Sequence, residues 1–540
     1  MSSPRSSDRP SRRRIGIYGV GVVAPGGRNV QAFEALLQRG ATALGPTTRR
    51  EFGNGLFAVG EPDFSFDDYA AWIAERHGEA YVTRLRAKMA NNVQFAVGAT
   101  IQALQCDPNL ERLVREVDDG CHVYVGSGVG DLPESYRAAA SLERATRAWN
   151  HFWAQPEHCA ARKQFDANGA VPTGSEAPPP NPTTFPVDSD ARFEARKAWD
   201  AYWAARSEVL DTFLKRFAAI EKLDADDENQ DKAHMSAMRK RSRAHRALVT
   251  EFGCPPPPWT EVSPNLIWNI QNGPAAQITM LLDVHGAAFA PVGACSTFGV
   301  ALKCGRDAIL RGEAKMAIVG TTDPRPDAAL VAAFHTARVM PGIPEVNLPF
   351  TSLRGTHVSG GSCIWIIGDA EFCEARDLRP IGGYVEAIAL SSDAEHIITP
   401  SQSGPKRAIA RAYAEAGIEP SDVAVIDLHA TGTPGDLNEL ALIDEYVTDK
   451  TRITARKGQL GHGMANSGGW ELTELALSLS RGTAFPTGVA DHALHPRVQR
   501  KGSIVMSETP LEGDIGVKLM LGIGGITACI VMRGARQSAG

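Results

Sequence analysis

The 540-residue chain lacks the features of several large protein classes. No apolar run reaches the length of a membrane span, and the polar, basic start MSSPRSSDRPSRRR is not followed by the apolar core of a secretory signal. A formal net charge of −6 gives no overall attraction to nucleic acid. None of the nine cysteines forms a CxxC pair, so we expect no metal site, and their scattered, odd-numbered set suits a reducing compartment. We therefore expect a cytoplasmic protein without a membrane span or a nucleic-acid partner.

What the chain does contain is alternating strand and helix patterns. At roughly 100–200 residues per domain, its length favours several domains or one doubled fold. Residues 1–13 are interpreted as a disordered basic tail. Beyond them, IGIYGVGVV, CHVYVG, AKMAIVGTTD, GSCIWIIGD and VAVIDLH read as buried strands, several of which run into glycine or threonine loops. Apolar helix patterns between such strands indicate a layered α/β fold with buried sheets.

A charged, proline-punctuated and helical segment interrupts this pattern over residues 131–262. Two similar aromatic trios occur in it: Trp149, Phe152 and Trp153, and then Trp199, Tyr202 and Trp203. The spacing i, i+3, i+4 places each trio on one helix face. We favour packing of these faces within the protein over an exposed docking surface for a partner.

Three residues suggest nucleophilic chemistry. Cys295 lies at the first turn of a predicted helix, where the helix dipole and free amides favour a thiolate, although a buried structural cysteine is the alternative. His429 ends the strand VAVIDLH, and His462 lies between glycines in KGQLGHGMANSGG. An isolated histidine in such a loop can be merely structural, but the three together make a Cys–His–His set plausible.

Four motifs, GACSTFGVAL, HATGTPGD, KGQLGHGMANSGGWE and GIGGITACIVM, follow one another along the chain. In this order and at these distances they resemble the β-ketoacyl synthases, the condensing enzymes of fatty acid and polyketide synthesis. The resemblance covers about residues 14–130 and 263–536. It implies an α/β fold: a thiolase-like, duplicated, five-layered α/β/α/β/α core with an inserted helical segment. The N-terminal half would comprise 14–130 plus 263–377, and the C-terminal half 378–536.

The resemblance also implies a role for each matching residue. Cys295 would be the nucleophile that takes the acyl chain as a thioester. His429 and His462 would assist loss of CO2 from a malonyl group and stabilise its enolate oxygen, because preorganised donors offset charge that develops in the transition state. Lys457 and Glu471 fall at the family's lysine and acidic positions, and a buried pair between them would orient His462.

For substrate contacts, the resemblance implies an oxyanion hole made by the backbone amides of Cys295 and Ile523. Substrate-pocket residues would be Phe298, Ile523, Thr431 and Thr433, with core packing an equal alternative for Phe298. The family usually has phenylalanine at the position of Ile523, where it gates the acyl pocket, so that gate is altered here. HATGTPGDLNE is one residue shorter than usual, and NLPFTSLRGTHVSGGSC has lost the family's Asp, Phe and Glu features.

The implied activity is decarboxylative Claisen condensation of an acyl thioester with malonyl-carrier protein through an acyl-cysteine. No cofactor is expected, since phosphopantetheine of acyl carrier protein or CoA carries the substrates. The implied partners are acyl carrier protein and a second subunit, in a homodimer or a heterodimer with a related chain. The alternative is a non-catalytic, chain-length-factor-like subunit, but such subunits typically lack the cysteine that is present here. Chain length, primer and pathway are left open.

Overall fold

A computed structural model describes residues 13–171, 174, 176–223, 230–394 and 401–535, without the side chains of 230–234. Apart from residue 13, the predicted tail over 1–13 lies outside the described residues, as does residue 536. Within the described ranges, no helix combines the length and the apolar character needed to cross a membrane. The chain divides into two compact units, Met1–Pro133 with Ile267–Gly540, and Glu134–Leu266. The predicted insertion covered 131–262.

The strands of the described chain all belong to the first unit. In chain order they are β1 (Ile15–Val23), β2 (Gly45–Pro46), β3 (Ala58–Val59), β4 (Cys121–Gly126), β5 (Ala288–Phe289), β6 (Met316–Asp323), β7 (Gly361–Asp369), β8 (Tyr384–Ser392), β9 (Val423–Asp427), β10 (Arg452–Thr454), β11 (Thr483–Ala484), β12 (Thr509–Pro510), β13 (Ile515–Gly522) and β14 (Ile526–Arg533). The strands predicted from the sequence correspond to β1, β4, β6, β7 and β9.

The α-helices of the described chain are α1 (Val30–Gln38), α2 (Asp67–His77), α3 (Glu79–Lys88), α4 (Asn91–Leu104), α5 (Leu110–Val117), α6 (Leu132–Trp153), α7 (Ala160–Asn168), α8 (Asp190–Ala204), α9 (Glu208–Glu221), α10 (Gln230–Phe252), α11 (Asn265–Trp268), α12 (Gly273–Leu282), α13 (Thr297–Arg311), α14 (Ala328–Thr336), α15 (Ala370–Glu374), α16 (Ser403–Ala416), α17 (Gly435–Leu442), α18 (Lys457–Leu460) and α19 (Asn466–Arg481). Most helices of the first unit lie between its strands along the chain, as the alternating pattern predicted.

The main sheet is built from two halves with the same topology. One half has the strand order β5-β4-β6-β7-β1 and the other β10-β9-β13-β14-β8. In each half, the strand that comes fourth along the chain is parallel to the second and antiparallel to the fifth. A single pair, Gly16 with Tyr384, joins the halves. The chain therefore contains one five-stranded pattern twice.

Helices cover both faces of each half. α13 and α19 contact each other and strands of both halves, so they form the central helical layer. α4 and α12 pack on the outer side of the first half, and α16 packs on the second. Every residue of β1 is buried, and Gly21 allows α4 to approach, because an added Cβ would lie 1.8 Å from the carbonyl oxygen of Ala99. The predicted duplicated, five-layered α/β core is confirmed.

The second unit, Glu134–Leu266, has an aromatic core. Both aromatic trios contribute to it: Trp149, Trp153, Trp199 and Trp203 are at most 5% exposed. The rings of Trp149 and Trp153 lie 5.3 Å apart in an edge-to-face contact, and those of Trp199 and Trp203 lie 5.8 Å apart. The favoured interpretation of the trios as packing faces is therefore confirmed.

Replacing Trp203 by alanine is expected to lower the free energy of unfolding of this unit by about 3–5 kcal/mol, because the indole is fully buried and would leave a cavity. Urea denaturation followed by circular dichroism measures the change. Tyr136, which is 60% exposed, provides the control, since Tyr136→Ala should change stability by less than about 0.5 kcal/mol. Equal effects of the two substitutions would contradict a packing role for Trp203.

Candidate active site

Cys295 lies in a tight turn that leads into α13. The turn is a single 3-10 segment, Ala294–Ser296, and Ala294 adopts the left-handed backbone conformation with φ of 49°. The hydroxyl of Ser296 donates to the carbonyl oxygen of Ile526 at 2.8 Å, which fastens the turn to the start of β14. The turn thus joins the central helical layer to the second half of the sheet. Cys295 itself is only 5% exposed.

Burial determines the resting state of the Cys295 thiol. Loss of contact with water raises its pKa to about 11, while the backbone amide of Ile523 and the charge of Lys457 act in the opposite direction. The thiol is therefore protonated at neutral pH. The position at the helix start was expected to favour a thiolate. Burial outweighs that effect, because the thiolate loses more solvation free energy than hydrogen bonds from the backbone amides restore.

The turn between β13 and β14 approaches Cys295 from the other side. A Cβ on Gly522 would lie 2.8 Å from the carbonyl oxygen of Gly293, so the two turns pack backbone to backbone. The amide of Ile523 acts on the Cys295 sulfur, whereas the Ile523 side chain is 46% exposed. Backbone amides at such a position can receive a developing oxyanion. The oxyanion role of Cys295 and Ile523 stays a prediction that this arrangement supports.

Phe298 is placed in the core. Its side chain is fully buried, and its ring meets that of Trp365 edge to face at 5.3 Å. Phe298 also lies against Gly469 of α19, where an added Cβ would be 2.5 Å away. These contacts account for Phe298 as a core residue, and contact with a substrate stays a prediction.

The two histidines, 33 residues apart along the chain, come together. His429 follows β9, and His462 lies between α18 and α19. Their ring centroids are 5.5 Å apart, with an angle of 83° between the ring planes. His462 is 4% exposed and His429 is half-buried. The pair could hold one substrate oxygen between two nitrogen donors.

Hydrogen bonds fix the tautomer of His462. The backbone amide of Met464 donates to Nδ1 at 3.2 Å, and the hydroxyl of Ser467 lies 3.2 Å from the same nitrogen. A backbone amide can only donate, so Nδ1 accepts, and a neutral ring carries its proton on Nε2. Burial, followed by the charges of Lys457 and Lys518, keeps the pKa of His462 well below its usual value. At neutral pH, Nε2–H is therefore available as a hydrogen-bond donor.

His429 is kept neutral in the same way. Burial lowers its pKa well below the usual value, and the charge of Lys457 and the neighbouring His462 act in the same direction. Its backbone is held at both polar groups. The amide donates to Glu439 at 2.6 Å, and the carbonyl oxygen accepts from the Lys457 ammonium at 2.6 Å. The end of β9 is thus fixed before the ring contacts any substrate.

Lys457 and Glu471 form the predicted buried pair, 2.7 Å apart. The sequence did not reveal that this pair continues. The second carboxylate oxygen of Glu471 lies 2.7 Å from the ammonium of Lys518, which in turn donates to Asp427 at 2.7 Å. All four side chains are at most 3% exposed. Lys518 interrupts the apolar strand pattern VKLML, and that interruption was the available signal.

Two more buried carboxylates escaped the sequence analysis. Glu439 accepts from the amides of His429 and Ala430, and burial raises its pKa to about 7. Asp436 accepts from the amides of Thr431 and Gly432, among others, and burial raises its pKa to about 6. Both belong to α17. Asp436 is the last residue of the HATGTPGD motif and Glu439 follows three residues later, so acidic residues at the end of a polar loop were the signal.

Thr431 and Thr433, the predicted pocket threonines, lie in the loop that Asp436 organises. Their hydroxyl oxygens are 2.9 Å apart, and both residues are half-buried. Two hydroxyls so exposed can contact the polar part of a bound substrate. That role stays a prediction.

The altered segment NLPFTSLRGTHVSGGSC contacts both histidine loops. The amide of His462 donates to the carbonyl oxygen of His357 at 2.6 Å, and the amide of Ser359 donates to the carbonyl oxygen of His462 at 2.9 Å. On the other loop, the side-chain amide of Asn347 donates to the carbonyl oxygen of Gly432 at 2.8 Å. Although this segment departs from the family pattern, it still supports the site.

Two models of one known protein family match the segments of the chain that carry the cysteine and the histidines of this site. The profile described as "Beta-ketoacyl synthase, N-terminal domain" matches residues 230–342, which include Cys295. The profile "Beta-ketoacyl synthase, C-terminal domain" matches residues 383–490, which include His429, Lys457, His462 and Glu471. The chain belongs to the β-ketoacyl synthase family.

Related 3-oxoacyl synthases are about 30% identical to this chain over the aligned segments. "3-oxoacyl-[acyl-carrier-protein] synthase 2" of Staphylococcus aureus is 30% identical over 285 residues, or 50% of this chain and, in different strains, 66% or 68% of the relative. The enzyme of the same name from Mycobacterium leprae is 31% identical over 218 residues, 38% of this chain and 52% of the relative. The matched part of this chain thus spans about two thirds of the Staphylococcus relatives.

Solved structures agree in fold. The "ishigamide ketosynthase/chain length factor" superposes with a TM-score of 0.64 at 19% identity, and a β-ketoacyl synthase from Burkholderia phymatum with 0.65 at 16%. Each comparison covers 97% of this chain and all of the other. At these identities the likeness concerns the fold alone, and it shows that the chain has the ketosynthase fold.

Proposed function

We propose that this protein is a condensing acyltransferase. It would join an acyl thioester to a malonyl-carrier protein through an acyl-Cys295 intermediate. The observation that carries the proposal is the pair of neutral imidazoles, His429 and His462, whose ring centroids lie 5.5 Å apart beside the buried Lys457–Glu471 ion pair. Membership of the β-ketoacyl synthase family supports condensation as the reaction in which such a pair acts.

In the first half-reaction, the Cys295 sulfur attacks the carbonyl carbon of the incoming thioester. The carbonyl oxygen becomes negative and is met by the amides of Cys295 and Ile523. When the tetrahedral intermediate collapses, the acyl group stays on Cys295 and the carrier's sulfur leaves. The proton of the thiol ends on that departing sulfur, so that the charge balances.

In the second half-reaction, the malonyl thioester loses CO2. The electron pair of the broken carbon–carbon bond moves into the thioester, and the resulting enolate oxygen accepts hydrogen bonds from His462 and His429. The enolate carbon then attacks the acyl carbonyl carbon, forming the new carbon–carbon bond and a β-ketoacyl thioester. Cys295 leaves as a thiolate and takes up one proton from solvent, so that one proton is consumed for each CO2 released. Since both rings are neutral, each has one N–H group with which to donate to the enolate oxygen.

Intact-protein mass spectrometry tests the proposal. Incubation with an acyl-carrier protein should add one acyl mass to Cys295, and malonyl-carrier protein should then remove it while a β-ketoacyl-carrier product appears. A chain-length-factor-like binding subunit, the alternative function, would acquire no acyl mass from any acyl-carrier protein or acyl-CoA. Persistent absence of the adduct would therefore replace the proposed function with that alternative.

The proposed partners are acyl carrier protein and a second subunit, either a copy of this chain or a related one. The supporting feature is the edge strand β5, which ends the first half of the sheet. Phe289 on this strand is 47% exposed, and Val292 and Met280 nearby are about half exposed. A second strand paired there would cover these apolar side chains and continue the sheet. We further propose that phosphopantetheine of the carrier or CoA brings the substrates, with no cofactor of the protein's own.

The proposed location is the cytoplasm. All nine cysteines are free thiols, as expected of a protein in a reducing compartment.

A further inference from the structure

Lys518 is a buried cation in the middle of an apolar strand. It is fully buried in β13, where a charge is costly unless every donor is paired. Its ammonium has three partners: Asp427 at 2.7 Å, Glu471 at 2.7 Å and the carbonyl oxygen of Leu428 at 3.1 Å. A buried lysine with all its donors paired needs an explanation beyond stability, since apolar residues of similar volume often stabilise a core as well or better.

The partners of Lys518 connect it to the histidine site. Glu471 divides its two carboxylate oxygens between Lys457 and Lys518, at 2.7 Å each. The two ammonium groups also bind consecutive carbonyl oxygens, Lys518 that of Leu428 and Lys457 that of His429. One carboxylate and two lysines therefore clamp the end of β9 from which the His429 ring projects.

We propose that Lys518 is a positioning residue for the condensation reaction: through Glu471 and Leu428 it fixes the strand end that carries His429, and Asp427 holds Lys518 in place. The inference rests on the proposed function. It adds a second lysine to the Lys457–Glu471 pair. This lysine does not touch the imidazoles but acts on them through Glu471, through the backbone of Leu428 and through its charge.

The charge of Lys518 also reaches both rings. Charged groups close to the two imidazoles include Lys457 (α18) and Lys518 (β13), together with the carboxylates of Asp427 (β9), Glu439 (α17) and Glu471 (α19), which bind these lysines or the His429 backbone. His462 also acts on His429. Of the cations, Lys457 and Lys518 each lower the pKa of both histidines. Removing Lys518 should therefore raise both pKa values, a result that a purely structural lysine elsewhere would not give.

The experiment compares two variants. Lys518→Met alone leaves Asp427 buried without its cation and is expected to lower the melting temperature strongly. Lys518→Met combined with Asp427→Asn removes both charges. The amide oxygen introduced at this position can still accept the hydrogen bond that the Thr454 hydroxyl donates to the Asp427 carboxylate at 2.8 Å. The double variant should regain most of the lost melting temperature, which separates folding from function.

The matched control is another lysine–aspartate pair in the same unit. Lys303 and Asp307 are 2.8 Å apart on α13, about 30% exposed and outside the site. Lys303→Met with Asp307→Asn should leave the melting temperature and the rate nearly unchanged. The readouts are release of CO2 from malonyl-carrier protein and the histidine titrations, followed by NMR of protein carrying 13C-labelled histidine, with resonances assigned through His429 and His462 variants.

We expect the folded Lys518→Met/Asp427→Asn variant to release CO2 about 10-fold to 100-fold more slowly than the wild type. We also expect the pKa values of His429 and His462 to be raised. A folded double variant with wild-type CO2 release and unchanged histidine titrations would overturn the proposal. If the wild type released no CO2, the proposed function would fail, and the titrations alone would still decide whether Lys518 acts on the histidines.

Discussion

Cys295→Ala is expected to abolish condensation, lowering its rate by at least about 10,000-fold, because no other sulfur in the site can hold the acyl group. The acyl mass should disappear from the intact protein at the same time. Loss of CO2 from malonyl-carrier protein can persist, since His429 and His462 are unchanged and the enolate needs only their donors. Rates are measured by product formation with acyl- and malonyl-carrier proteins, and adducts by mass spectrometry.

Cys304 supplies the matched control for this substitution. It lies nine residues further along on α13 and is half-buried, and the charged groups that act on its thiol are Asp307, Lys303 and Arg311. Cys304→Ala should keep both the acyl adduct and the condensation rate. If Cys295→Ala still acquired the acyl mass, another residue would be the acyl acceptor, and the assignment of Cys295 would be wrong.

The sequence predicted the parts of the site that are local. Cys295 comes two residues after Gly293 and precedes a helix, and each histidine lies at a junction between regular structure and a polar loop. Such positions can be read from a few neighbouring residues. The packing of the aromatic trios was also predictable, because helical spacing alone places each trio on one face.

The interactions that were missed connect distant parts of the chain. Lys518 and Asp427 are 91 residues apart, and Glu471 lies between them in the sequence on another element. The residues next to Lys518 in the sequence do not indicate its partners, so the sequence shows only a charged residue that interrupts an apolar strand. The protonation state of Cys295 could not be predicted for a related reason. Its position at a helix start can be read from neighbouring residues, whereas its burial depends on how both halves of the sheet pack around the turn.

The protonation state of Cys295 and the charge cluster around Lys518 depend on the same balance, between the free-energy cost of burying a charge and the gain from a compensating charge nearby. In the Cys295 turn, burial prevails and the thiol stays protonated at rest. Around Glu471, the two lysines compensate burial, so that an ionised cluster persists beside two neutral rings. A site of this kind offers neutral donors to the enolate, while the carboxylates of Glu471 and Asp427 are held by lysine ammonium groups. The most direct test of that arrangement is substitution of His462, the ring whose tautomer is fixed by the groups at its Nδ1.

His462→Ala is expected to slow release of CO2 from malonyl-carrier protein by about 100-fold to 1,000-fold, because one preorganised donor to the enolate oxygen is removed. Acylation of Cys295 should change little, since its oxyanion is met by backbone amides and not by this ring. The two steps are measured separately, CO2 release with malonyl-carrier protein alone and adduct formation with acyl-carrier protein alone. His285→Ala, an exposed histidine paired with Asp118, should leave both rates unchanged.

The division between the two steps is what makes this substitution informative. A general loss of structure would slow acylation and CO2 release together, and would also lower the melting temperature. A selective loss of CO2 release would assign His462 to the enolate and leave Cys295 with the acyl group. If acylation fell instead while CO2 release persisted, His462 would act on the thiol proton of Cys295, and the order of roles proposed here would have to be reversed.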